Sequence, residues 1–142
     1  MLLYLTVNII LWKITTRIIQ LSCPPPATSP LVLVRTKQAY QLWHGYHHNL
    51  KIPDRATIGE KIDGHFLNLL EFIFRACFAY DKFEKLSFVS QANSKNDLIK
   101  FFLQISWEQK ILDHKQYSSL IVLLEEIGRM LGGWKKDIQE RI

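Results

Sequence analysis

An all-α fold, an antiparallel up-and-down four-helix bundle, is what this 142-residue chain predicts. Three features point to it. Apolar residues recur at helical spacing through most of the chain after Ser29, and nowhere there does a stretch alternate with the two-residue period of a strand. The interruptions between periodic segments are short, which joins neighbouring helices antiparallel. A domain of this length also buries a real core without disulfide or metal staples.

Ser29–Pro30 fits an N-cap followed by proline in the first helical turn. The first helix then covers residues 31–50, with Tyr40, Trp43, His47 and Leu50 on one face and Ala39, Leu42 and Tyr46 beside it. "KIPD" (51–54) breaks it, because Pro53 lacks an amide hydrogen and restricts Ile52. A second helix is expected to start between Asp54 and Thr57, with Thr57-x-x-Glu60 as its capping box, and to run to about Tyr80. Ile58, Ile62, Phe66, Leu69, Ile73 and Cys77 form one apolar stripe on it; Leu67, Leu70, Phe74 and Phe78 form a second. A surface helix needs only one stripe. This helix is therefore either central to the bundle or partly covered by another subunit.

The third helix is expected over 82–111, with "SQANSKND" (90–97) as a kink or break and Ser94-x-x-Asp97 restarting it. Asp113-x-x-Gln116 reads as a capping box for a fourth helix over 114–139. That helix carries "EEIGRMLGGWKK" (125–136), where each interior glycine costs about 1 kcal/mol against alanine. Gly128 falls at the seam of the apolar half, where a missing side chain lets a neighbour approach closely. Lys135, Lys136 and Asp137 followed by Ile138 imply that the helix continues through Gly132–Gly133 to seat Trp134.

Residues 1–30 stand apart from the 31–142 domain as an apolar segment with a Pro-rich linker. "MLLYLTVNIILWKITTRIIQL" (1–21) has its charges late, at Lys13 and Arg17, the reverse of a secretory signal. Its charge-free run, 1–12, is too short to span a bilayer. Three readings fit: an interfacial anchor, a non-cleaved membrane signal, or a start assigned upstream of the true one. The third is preferred, since "SCPPPATSP" (22–30) then becomes incidental sequence before a well-patterned domain.

The net charge is +5, but residues 31–142 hold 16 basic against all 13 acidic residues, an excess of only +3. That is a mild lean toward an acidic partner. Two cysteines, Cys23 and Cys77, do not make a stapled scaffold, and Cys77 belongs to the core pattern. His44, His47 and His48 lack the further ligands a structural zinc needs. No Glu-x-x-His occurs, so a di-iron bundle site is not expected. Walker-type and GxGxxG loops are missing as well. The chain is read as non-enzymatic, with no catalytic residues, metal or cofactor.

"EEIGRMLGGWKK", with "KIPDRATIGEKI" (51–62) and "LLEFIFRACFA" (69–79), resembles the accessory variability determinant (Avd) proteins of diversity-generating retroelements. These belong to a wider group of bacterial four-helix bundles that includes the ribosomal RNA intervening-sequence proteins. The resemblance extends over about residues 34–140 and leaves 1–30 unmatched. It implies a cytoplasmic accessory protein that assembles as a homopentamer with a basic surface. Such a protein engages a reverse transcriptase and its structured template RNA or RNA/cDNA, and supports mutagenic retrohoming, with no stable membrane partner. The alternative is a structural homo-oligomer of the intervening-sequence type without a reverse transcriptase.

The family motif carries over onto Gly128, Arg129, Leu131, Gly132, Gly133 and Trp134, which read as architecture, with Arg129 the polar contact. Candidate partner or nucleic-acid contacts are Arg35, Lys37, Arg55, Lys61, Arg75, Lys100, Arg129, Lys135 and Lys136. Arg75 lies among apolar residues and should emerge at a rim or pair with an acid across an interface. Glu125 and Arg129, four apart, are expected to pair.

Overall fold

The computed structural model describes residues 29–142, and the readings made for residues 1–28 lie outside them. Helix α1 spans Ser29–His48. Helix α2 is built from a turn at Ile52–Asp54, a π-helical turn at Arg55–Gly59 and an α-helix at Glu60–Phe78. Helix α3 spans Lys82–Glu108 and helix α4 spans His114–Glu140. Each packs on its neighbours in an antiparallel ring, α1 on α2, α2 on α3, α3 on α4 and α4 back on α1. The described residues contain no strand.

The core sits on the single apolar face that each helix turns inward. Trp43 from α1, Ile62, Phe66, Leu69 and Ile73 from α2, Ile99 and Leu103 from α3, and Leu120, Leu124, Ile127 and Leu131 from α4 are fully buried. Trp43 stacks on Phe66 with centroids 6.0 Å apart, and its indole N–H donates to Asp63 Oδ1 at 3.2 Å. Trp134 is 2% exposed, so α4 does continue through Gly132–Gly133 to seat its ring in the core. Burying an aromatic side chain of this size supplies several kcal/mol, enough to offset both glycines.

Two expectations need correction. No capping box forms at Thr57: the helix has already begun at Ile52, and the Thr57 hydroxyl donates back to Pro53 O at 2.8 Å. The π turn there lies against α1, where a Cβ on Gly59 would come within 2.8 Å of His47 Cδ2. The missing side chain is what lets the His47 ring reach α2.

Helix α3 is also unbroken. "SQANSKND" places Ala92 and Asn96 on the buried face, and Asn96 Nδ2 donates to Leu124 O on α4 at 3.0 Å. A polar residue that pattern reading assigns to a break instead pins two helices together. Gly128 completes this seam, since a Cβ on it would lie 3.1 Å from Asn96 Nδ2.

The caps at the other ends are local. Asp81 accepts from Glu84 N at 2.9 Å. The Asp113–Gln116 capping box forms as expected, with Gln116 N donating to Asp113 Oδ1 at 2.7 Å and Asp113 N to Gln116 Oε1 at 3.1 Å. Between α3 and α4 the chain turns through Lys110 at φ 60°, in the left-handed region, and Ile111 N reaches back to Ser106 O at 2.8 Å.

Candidate partner and nucleic-acid interface

Helix α2 carries more apolar surface than the bundle covers. Its first stripe is core, whereas on the second Leu67 is 48% and Phe74 is 50% exposed, with Leu70 and Phe78 half-buried. Phe74 and Phe78 lie with ring centroids 4.6 Å apart, so the stripe presents a joined aromatic patch. It faces away from α3, on the flank of α2 that borders α1, because the α3-facing side of α2 is taken by His65 against Phe102 and Phe72 against Phe88.

The nine candidate cations divide into two sets. Arg35 is spent inside the bundle, donating Nε to Glu126 at 3.0 Å and tying α1 to α4. Arg55 donates Nη2 to Leu50 O at 3.1 Å across the α1–α2 corner. Arg75 is clamped by Glu71, at 3.0 and 2.7 Å, and lies 5.9 Å over the Phe88 ring. Lys100 sits between Asp97 at 3.5 Å and Glu125 at 3.4 Å. The expected Glu125–Arg129 pair is not among the ion pairs formed, because Lys100 reaches Glu125 from α3.

The second set points outward. Lys37 is exposed on α1 and Lys61 on α2. On α4, Arg129 and Lys136 are exposed and flank the exposed Gly132 and Gly133, while Lys135 is half-buried. Lys136 meets Glu140 only at 4.0 Å. A Cβ on either glycine would touch nothing within 4 Å, so no neighbour among the described residues accounts for them.

Pattern reading gave no role to the cleft around His65. Thr57, Glu60, Lys61, Gly64, His65 and Asn68 line a shallow depression of about 360 Å³ on the outer side of α2. His65 is 9% exposed, and neither ring nitrogen has a hydrogen-bond partner. Leaving a buried polar group unpaired costs about 1–3 kcal/mol. Burial, then the positive charges of Lys95 and Lys61, holds the imidazole below its ordinary 6.5. Only the side chain's placement beside Lys61, one turn away on the same face, was available as a signal in the sequence.

The three histidines of α1 do not gather as ligands: His47 stacks on Trp43 at 5.3 Å. Among the described residues no group of three or more His, Cys, Asp or Glu could hold a metal ion. No helix among them is long and apolar enough to cross a membrane.

The described residues thus form a four-helix bundle with a half-exposed apolar flank on α2 and cations on its outer surface. A family model described as bAvd-like matches residues 33–138, most of the chain, and the protein belongs to that family. It is accordingly an accessory protein of the Avd type and non-catalytic. No curated protein matches it.

Proposed function

We propose that this protein assembles into a homo-oligomer, a pentamer by analogy with its family, and binds a reverse transcriptase together with its structured template RNA in the cytoplasm. In this role it supports mutagenic retrohoming by a diversity-generating retroelement. The observation that carries the reading is the second stripe of α2. Leu67 and Phe74 are half exposed in a single chain that belongs to the bAvd-like family, and burying such side chains between copies is worth about 1.5–3 kcal/mol each.

Lys37, Lys61, Arg129, Lys135 and Lys136 are the cations left to face RNA or the polymerase, while Arg35, Arg55, Arg75 and Lys100 act in the fold. An excess of +3 per subunit becomes about +15 in five copies, and phosphate affinity is collective and salt-sensitive. The commitment of four candidate cations to internal partners favours one second reading, the structural homo-oligomer without a polymerase.

Co-expression with the genes that neighbour its own, followed by affinity purification, separates the two. The proposed role expects polymerase and RNA to co-elute with the protein and RNA to leave as salt rises. An oligomer that elutes alone at low salt would support the structural reading instead.

A further inference from the structure

Helix α3 turns an apolar face outward that the core does not use. Leu98 is 38% and Phe101 is 55% exposed, with Ile105 half-buried beside them. Spacings of three, four and seven residues place all three on one side of the helix. That side is neither the one that meets α2, which Phe88 and Phe102 occupy, nor the one that meets α4, where Lys100 reaches Glu125. The Phe101 ring meets Phe102 edge-on at 5.5 Å, so it is propped on the surface with no neighbour above it from α2 or α4. Its rim is acidic. Asp97 is exposed four residues before Phe101, and Glu108 is exposed three after Ile105. The lysines of this stretch lie elsewhere: Lys95 shares the α2-facing side with Phe102, seven residues on, and Lys100 lies toward α4.

The flank of α2 has the opposite rim. Tyr40 of α1 lies 6.0 Å from Phe66, so the side of α1 bordering that flank also carries the exposed Lys37, one turn before Tyr40. Glu71, the acid on the far edge of the flank, is taken up by Arg75. Two-fold symmetry pairs a patch with itself, whereas a ring of more than two copies joins two different patches head to tail. Self-pairing through α2 would leave the α3 face of every copy in water. Head-to-tail contact covers both apolar faces of every copy and sets a cationic rim against an acidic one. We propose that the α2 flank of one copy packs on the Leu98, Phe101 and Ile105 face of α3 in the next copy. This pairing rests on the assembly proposed above and supplies the surface that receives the flank. It places Lys37 opposite Asp97 and Glu108 of the next copy and withdraws it from the cations left for RNA.

Complementation between two broken faces tests the pairing. One full-length variant, Leu67→Ser with Phe74→Ser, loses the α2 flank; the other, Leu98→Ser with Phe101→Ser, loses the α3 face. All four side chains are exposed, so both proteins should keep the helical circular dichroism and cooperative melt of the wild type. If the α3 double variant fails to fold, Phe101→Lys alone takes its place. Light scattering at one total protein concentration should find each variant shifted from the wild-type oligomer to single copies. Mixed in equal amounts, the two should form a species of two copies and no larger one. The intact α3 face of the first then meets the intact α2 flank of the second, and both remaining faces are broken. A folded α3 variant that keeps the wild-type mass would overturn the pairing while leaving assembly through α2 in place. So would a mixture that stays at single copies beside an oligomeric wild type. A monomeric wild type would overturn the assembly itself, and this pairing with it.

Discussion

The α3–α4 seam and the outer side of α2 handle the same kinds of residue in opposite ways. At the seam, Asn96 is buried and donates to Leu124 O, and Gly128 exists to admit its amide. On α2, His65 is buried with no partner, Gly64 opens onto nothing within 4 Å, and Leu67 and Phe74 stay half exposed. One region is closed by its own chain. The other leaves a polar group, a gap and an apolar stripe unmatched on one helix among the described residues.

The contrast is broken most severely by Trp134→Ala, on the closed side. Removing a ring that is 2% exposed should cost about 3–5 kcal/mol, seen as a large fall in chemical-denaturation midpoint. An unchanged midpoint would remove Trp134 from the architecture. Gly128→Val comes next, since a branched side chain would meet Asn96 at the seam; overpacking should cost about 1–3 kcal/mol by the same assay. Gly132→Ala, with open space above it, should instead stabilise the chain by about 1 kcal/mol. If the two substitutions move stability in the same direction, the distinction between closed and open glycines is wrong.

Acid probes the α2 side. Burial and two lysines lower the folded-state pKa of His65, so below its ordinary 6.5 the unfolded chain binds more protons. Its contribution to stability is therefore complete above about pH 6.5 and is lost as pH falls from there toward the depressed folded value. Thermal melts of wild type and His65→Gln between neutral and mildly acidic pH should show a steeper acid loss in the wild type. Parallel curves would mean that His65 titrates as in the unfolded chain.

The sequence makes this comparison half visible. Helical periodicity and the Asp113–Gln116 box set the bundle and the start of α4, because both signals are local. The double stripe of α2 was equally legible, since apolar excess on a helix is a property of spacing alone. Asn96 was misread because its partner, Leu124 O, lies 28 residues away and its polarity looks locally like a break. Glu125 was paired with Arg129 on spacing, and only the tertiary fold brings Lys100 to it. The π turn before Glu60 and the role of Gly59 likewise depend on His47 arriving from another helix. Arg75 was expected to emerge at a rim or to meet an acid across an interface, and it instead pairs with Glu71, one turn away on its own helix.

The most direct test of the central claim is the solution mass of the wild-type protein and of a Leu67→Ser, Phe74→Ser double variant, measured by light scattering. The account expects the wild type at several times 16.7 kDa, and the variant folded but shifted toward a single copy. A monomeric wild type, or a variant whose oligomer is untouched, would contradict the assignment of the α2 flank to contacts between copies.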